Sequence, residues 1–238
     1  MIKLIRKILN PFGCDLVRYP HFEDKSFVDL LHRLEIDSLF DIGANVGQFA
    51  EEMRKHGYTK KIISFEPLNE AFCVLKNKAK DDNWIACHSA IGNEDGKIEI
   101  NISKNLVSSS ILEIQNTHIN AVPDSFVLMK ESVPIYKIDS IIDKYAQDKL
   151  NIFVKIDTQG FEKNVIDGAL LSLSRIQGFI MELSFITLYK GETLFFDMVT
   201  YMDTLGYDMW QIIPGFYDKK TQRVLQADVV FVKKMKNK

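Results

Sequence analysis

Apolar positions along this chain recur at two spacings. Short apolar runs at 38–42, 61–65, 84–87, 152–156 and 179–184 have the length and continuity of strands covered on both faces. Between them the spacing turns helical: Phe27, Leu30, Leu31 and Leu34, then Phe49, Ala50 and Met53, then Ala71, Val74 and Leu75. Helices are also predicted over 138–145, over a segment carrying Val165, Ile166, Ala169, Leu170 and Leu173, and over 194–205. Residues 96–102 alternate strictly, with Ile98, Ile100 and Ile102 on one face, as in a half-exposed strand. Residues 133–137 read as an edge strand, and 207–212 with 227–232 as a closing antiparallel hairpin. Strands alternating with helices predict an α/β fold: a mostly parallel, Rossmann-like sheet with helices on both faces.

Two segments stand outside this rhythm. Residues 1–19 set Ile2, Leu4, Ile5, Ile8 and Leu9 against Lys3, Arg6 and Lys7, a short amphipathic stretch broken by Pro11 and Gly13. Residues 103–132 show no period; so long an irregular stretch reads as a lid or binding loop. The expected organisation is a helical lead-in over 1–35 and one catalytic domain over 36–238.

Composition narrows the class. A chain of 238 residues, 46% hydrophobic and 26% charged, suits one α/β domain with a sizeable core. A net charge of -2 leaves no basic footprint, so nucleic acid is not an expected partner. No run approaches the ~20 apolar residues of a membrane span, and the N-terminus has neither the apolar region nor the cleavage site of a signal peptide. Cys14, Cys73 and Cys87 lack metal-ligand spacing and read as thiols in a reducing compartment. The expectation is a cytoplasmic enzyme.

The chemistry gathers at strand ends. After the first strand comes Asp41-Ile42-Gly43-Ala44-Asn45-Val46-Gly47, an acid and a glycine-containing turn that opens a helix. Gly43 permits close backbone approach, Asn45 tolerates left-handed dihedrals, and Gly47 lets the next helix pack closely. In a dinucleotide G-x-G-x-x-G reading from Gly43, the second and third glycines fall on Asn45 and Gln48, which disfavours NAD. About 20 residues on, the second strand closes on Glu66-Pro67, where open α/β folds place the carboxylate that accepts from a ribose. A later strand delivers Asp157, followed by Gly160, and another carries Glu182 near its end. His88 ends a strand, which favours a structural role, and His118 lies in the irregular stretch.

The acid-x-Gly-x-Asn-x-Gly turn resembles the first motif of class I S-adenosylmethionine-dependent methyltransferases. Together with Phe65-Glu66-Pro67, with Lys155-Ile156-Asp157 followed by Gly160 and Glu162, and with Glu182 followed by Leu188-Tyr189 and Gly191, it resembles the FkbM family of these enzymes from about residue 34 to the C-terminus. The family usually carries an acid where this chain has Gln159. The resemblance implies S-adenosylmethionine as cofactor, held by Asp41, Gly43, Asn45, Gly47, Glu66 and Pro67, with the turn amides taking its carboxylate, Asp41 its ammonium, and Ser89 and Ala90 flanking the adenine. It also implies O-methylation of a sugar, glycan or polyketide-like acceptor. Asp157 and Glu182 are candidates for the general base, for orienting the acceptor, or for holding a divalent metal; the base is preferred and no dedicated metal site is assigned. Tyr189, Lys190 and Ser110 are placed on the acceptor side. The rival readings are a nucleotide-binding oxidoreductase and a binding protein of the same fold without turnover.

Overall fold

Helix α1 (Phe22–Arg33) leads into β1 (Ser38–Ile42), and the chain then alternates through α2 (Gln48–Lys55), β2 (Lys61–Phe65), α3 (Asn69–Lys78) and β3 (Trp84–Cys87). An insertion follows with β4 (Ala90–Ile91), β5 (Gly96–Ser103), α4 (Asn116–Ala121) and β6 (Val127–Tyr136). α5 (Ile138–Ala146) returns the chain to β7 (Ile152–Ile156), α6 (Glu162–Asp167), β8 (Ile176–Ser184), α7 (Phe195–Thr204), β9 (Tyr207–Pro214) and β10 (Gln226–Lys233). The structure, a computed structural model, describes residue 11 and residues 22–147, 151–218 and 220–235. The amphipathic stretch expected over 1–19 lies, apart from position 11, outside the described residues.

The main sheet runs β3-β2-β1-β7-β8-β10-β9. Its first five strands are parallel, and β10 runs antiparallel to both β8 and β9, which gives the expected closing hairpin. Strand order reverses between β1 and β7, so their carboxyl ends frame the crevice where open α/β sheets bind ligands.

The pleat sorts side chains by face. Phe40, Ile42, Val154, Ile156, Phe179 and Met181 pack with α5, α6 and α7. Leu39, Phe153, Ile180 and Val230 pack with Phe27 and Leu31 of α1, Met53 of α2 and Leu75 of α3. Period two then places Asp41, Lys155, Asp157, Glu182 and Asp228 on this second face, just beyond its apolar part. The fold thus carries a row of charged groups at the carboxyl end of one sheet face.

Four expectations are corrected. The irregular stretch over 103–132 contains α4 and the first half of β6, and β6 is the centre of a second sheet, β4-β6-β5, not an edge strand. Periodicity missed its start because Val127, Leu128 and Met129 all face solvent. Val74 is exposed because the buried stripe of α3 runs Leu68, Ala71, Leu75. Leu170 is exposed because α6 stops at Asp167: a Cβ on the next residue, Gly168, would lie 1.9 Å from the carbonyl oxygen of Gly92, so the chain turns there.

Candidate active site

The turn after β1 is fixed by its own backbone. Gly43 and Ala44 donate to the carbonyl of Phe65, Gly47 donates to Ala44, and the amide of Asn45 donates to Glu66 Oε2 at 2.7 Å. Gly43 (φ 72°), Asn45 (φ 49°) and Gly47 (φ 84°) are left-handed. The expectation that these amides take a ligand carboxylate is corrected, since those of Gly43, Ala44, Asn45 and Gly47 are committed inside the protein. Gly43 is required by its neighbour: a Cβ would sit 1.9 Å from the carbonyl oxygen of Asp157. At Gly47 it would meet Leu75 of α3 and Trp84 of β3 at 2.9–3.0 Å, so this glycine admits close packing without facing the cavity.

A cavity of about 740 Å³, counting the solvent at its mouth, opens beyond this turn. Gly43, Asn45, Glu66, Pro67, Ser89 and Ala90 line it as expected, with Leu68, Ala71, Ile91 and Ile100 as apolar walls. The insertion covers it through residues 106–107 and 109–111, and Asp157, Thr158 and Gln159 close the far side. These surfaces fit a nucleoside: a slot for a flat ring beside one carboxylate for a diol. Glu66 is buried, its Oε1 accepting from Leu68 N at 2.8 Å. Each of its oxygens keeps a lone pair for a hydroxyl donor. Burial pushes Glu66 up to about 7, against the two backbone donors that favour its anion.

Asp41 is displaced from its expected role. Fully buried, it does not line the cavity; its Oδ2 accepts from Ser64 Oγ at 2.9 Å and its Oδ1 lies 3.3 Å from Lys155 Nζ. Lys155 also donates to the carbonyl of Gly43 at 3.0 Å and lies 3.5 Å from Asp157 Oδ2. Burial alone would lower the lysine, but Asp157 and Asp41 outweigh it and hold it above its ordinary range. One cation therefore ties the β1 turn to the carboxyl end of β7.

Gln159 is the centre of the remaining network. Left-handed at φ 55°, it donates from Nε2 to Asp157 Oδ1 (2.8 Å) and Glu182 Oε2 (2.9 Å), and its Oε1 accepts from the Tyr189 hydroxyl at 2.6 Å. Its backbone carbonyl accepts from Ser110 Oγ at 2.7 Å. The loop that holds it is pinned by buried Glu162, which accepts from Thr158 N, Thr158 Oγ1 and Gly160 N.

The two expected catalytic acids therefore differ. Asp157 lines the cavity and its side chain is 37% exposed. Glu182 lies outside the cavity lining, is held by the amides of Gln159 and Gln226, and is pushed well above the usual carboxylate range by burial and by Asp157 and Asp228 nearby. Tyr189 is fully buried, a partner of Gln159 rather than a cavity wall. Lys190 is 70% exposed and pairs with Glu113 at the surface, so it is not brought to the site. Ser110 lines the cavity, but its hydroxyl is committed to Gln159. His88 stacks on Phe72 with ring centroids 4.5 Å apart and contacts the Pro67 carbonyl, as a structural residue would. His118 is buried against Tyr189 and Ser108, away from the cavity, and burial lowers its pKa. Among the described residues no group of three His, Cys, Asp or Glu side chains is placed to hold a metal ion.

Lys155, Gln159 and Asp228 also stand at the site, although sequence reasoning gave none of them a role. Lys155 and Asp228 had a signal, each being a lone charge inside an otherwise apolar strand. Gln159 was marked only as a departure from the family's usual acid, since two of its side-chain partners, Glu182 and Tyr189, are distant in sequence.

Strand order and the crevice between β1 and β7 define a Rossmann-like α/β fold of the class I methyltransferase type. Residues 41–209 match the family model of the methyltransferase FkbM domain, and the chain belongs to that family. It is a methyltransferase with S-adenosylmethionine as cofactor. An uncharacterized protein from Listeria monocytogenes serotype 4b shares the fold at TM-score 0.51 and 7% identity, over 91% of this chain and 69% of that one. The magnesium protoporphyrin IX methyltransferase of Synechocystis PCC 6803, solved with bound S-adenosylmethionine, aligns at TM-score 0.46 and 9% identity over 97% and 96% of the two chains. No curated protein sequence matches the chain. Among the described residues no helix is long and apolar enough to cross a membrane.

Proposed function

We propose that this enzyme methylates a hydroxyl oxygen of a small acceptor of the sugar, glycan or polyketide-like kind, with Asp157 as general base. The observation that carries this reading is the position of Asp157: a partly open carboxylate at the cavity wall, its geometry fixed by Lys155 and Gln159. An alcohol is a weak nucleophile until its proton is removed as the new bond forms. Asp157 accepts that proton and releases it to solvent. When bound, the cofactor supplies a methyl on a sulfonium; as the O–C bond forms, the C–S bond breaks and its electron pair stays on sulfur. Glu182 and Tyr189 act through Gln159, positioning Asp157 without touching the acceptor. The free thiols Cys73 and Cys87 support placing the enzyme in the cytoplasm.

In this reading Glu66 accepts from the ribose hydroxyls, Pro67, Ser89 and Ala90 face the adenine, and Gly43 and Asn45 shape the wall beside the methionine part. A pH dependence follows. Hydroxyls donate to the ionised carboxylate, while the free pocket holds its proton up to about pH 7, so below that pH binding must first release it. Affinity for S-adenosylhomocysteine, measured by calorimetry, is expected to fall by about tenfold per pH unit below 7 and to level off above it. Glu66→Gln should flatten the profile; an unflattened profile would place the ribose elsewhere.

The reaction class is tested with methyl-labelled cofactor and an extract of cells expressing the enzyme. The expected product carries its label through mild alkaline hydrolysis, as an ether does and an ester does not. Label on nitrogen, on carbon or on a nucleic acid would overturn the reading.

A further inference from the structure

A second cavity lies on the other side of Asp157. Phe27 of α1 and Gln48, Phe49, Glu52 and Met53 of α2 wall it, the charged row of the sheet floors it through Lys155, Asp157 and Asp228, and Ile180 and Ile213 complete it. It encloses about 1000 Å³, counting the solvent at its mouth. Among the described residues only Gln48 and Asp157 line both cavities, so the proposed base stands between the two spaces.

We propose that this second cavity is the acceptor site, and that it takes a compact alcohol with an apolar body and an amine cation. The inference rests on the hydroxyl reading above, adds the place of the acceptor, and replaces its sugar, glycan or polyketide-like class with that of an amino alcohol poor in further hydroxyls. Place follows from adjacency: a methyl passing from one cavity to an oxygen in the other crosses at Asp157, the one carboxylate common to both among the described residues. The apolar body follows from Phe27, Phe49, Met53 and Ile213, the two rings standing 6.1 Å apart and tilted by 52°. These offer van der Waals surface in place of the hydrogen bonds a polyol needs.

The cation follows from charge. Among the described residues, Asp41, Asp157 and Asp228 gather around Lys155, which pairs with Asp41 and Asp157, donates to the Gly43 carbonyl and lies 5.6 Å from the centre of the Phe49 ring. The cavity floor is therefore left with excess negative charge, which an ammonium neutralises and a carboxylate or phosphate would meet with repulsion. The same excess shows in Asp228 itself, pushed up to about 6 by burial and by Asp157, with Lys155 opposing.

Three probes of equal size test this on the full chain saturated with S-adenosylhomocysteine: 4-aminocyclohexanol, cyclohexane-1,4-diol and 4-hydroxycyclohexanecarboxylate. The amine is expected to raise the melting temperature at concentrations about tenfold lower than the diol, with no effect from the carboxylate. Asp228→Asn should bring the amine down to the level of the diol while the affinity for S-adenosylhomocysteine stays unchanged, and Phe49→Ala should weaken both. A diol or carboxylate that binds as well as the amine, no binding by any probe, or a preference that survives Asp228→Asn would overturn the proposal. Labelled cofactor then separates the two readings: methyl on the probe's oxygen supports both, and methyl on its nitrogen supports the cavity and overturns the hydroxyl reading.

Discussion

Asp157→Asn is expected to lower turnover by about 10²–10⁴-fold, the range for loss of a general base. The substitution preserves size and leaves a group that still faces Lys155, but it removes the proton acceptor at the junction of the two cavities. Affinity for the cofactor should change little, because Glu66 and the apolar slot are untouched. Measuring kcat alongside S-adenosylhomocysteine binding checks both halves. Glu182→Gln should have a much smaller effect, since that carboxyl acts through Gln159 and lies outside the cofactor cavity. Chelators should leave the wild-type rate unchanged; activity lost to chelator and restored by Mg²⁺ would make the two acids metal ligands instead. Full activity in the Asn variant would remove Asp157 from the chemistry.

Gly43→Ala is expected to cost stability as well as binding. A side chain at φ 72° carries a left-handed penalty of roughly 1–2 kcal/mol, and here the new methyl would sit 1.9 Å from a backbone carbonyl that cannot rotate away. Separating the ends of β1 and β7 adds about 1–3 kcal/mol of overpacking. For a domain of this length the sum corresponds to a melting temperature lower by about 4–20 °C. From the sequence alone, Gly43→Val should abolish binding without unfolding the domain; the carbonyl of Asp157 changes that expectation, because the clash lies inside the sheet. Thermal unfolding of the alanine variant decides the point, and an unchanged melting temperature would mean that the turn relaxes without disturbing β7.

How much of this was legible beforehand depended on whether the cause was local. β1, β2 and β7 could be located because strands buried on both faces must be apolar runs, and the ends of β1 and β2 could be placed because the Gly43 turn and Pro67 stop them. The second sheet was not legible, since β6 begins with three solvent-facing apolar residues and alternates only from Val133. In the site, Glu66, Ser89 and Ala90 reached the cavity because strand ends in an open α/β sheet point there. Asp41 did not, although it also stands near a strand end: it lies one residue inside β1, and the pleat turns it under the turn toward Lys155. Lys190 and Tyr189, adjacent in sequence, part company for the same kind of reason. One goes to the surface with Glu113 and the other is buried on Gln159.

The amide of Gln159 has one more consequence. Its Nε2 donates to Asp157 and Glu182 while its Oε1 accepts from a phenol, so turning the group over would set its oxygen against two carboxyl groups that accept from it now. An amide does not titrate. A carboxylic acid in its place would be a donor when protonated and an acceptor when ionised, and the distance between Asp157 and Glu182 would follow the acidity of the medium. With glutamine there, the hinge between these two side chains keeps one hydrogen-bonding polarity from acid to alkali.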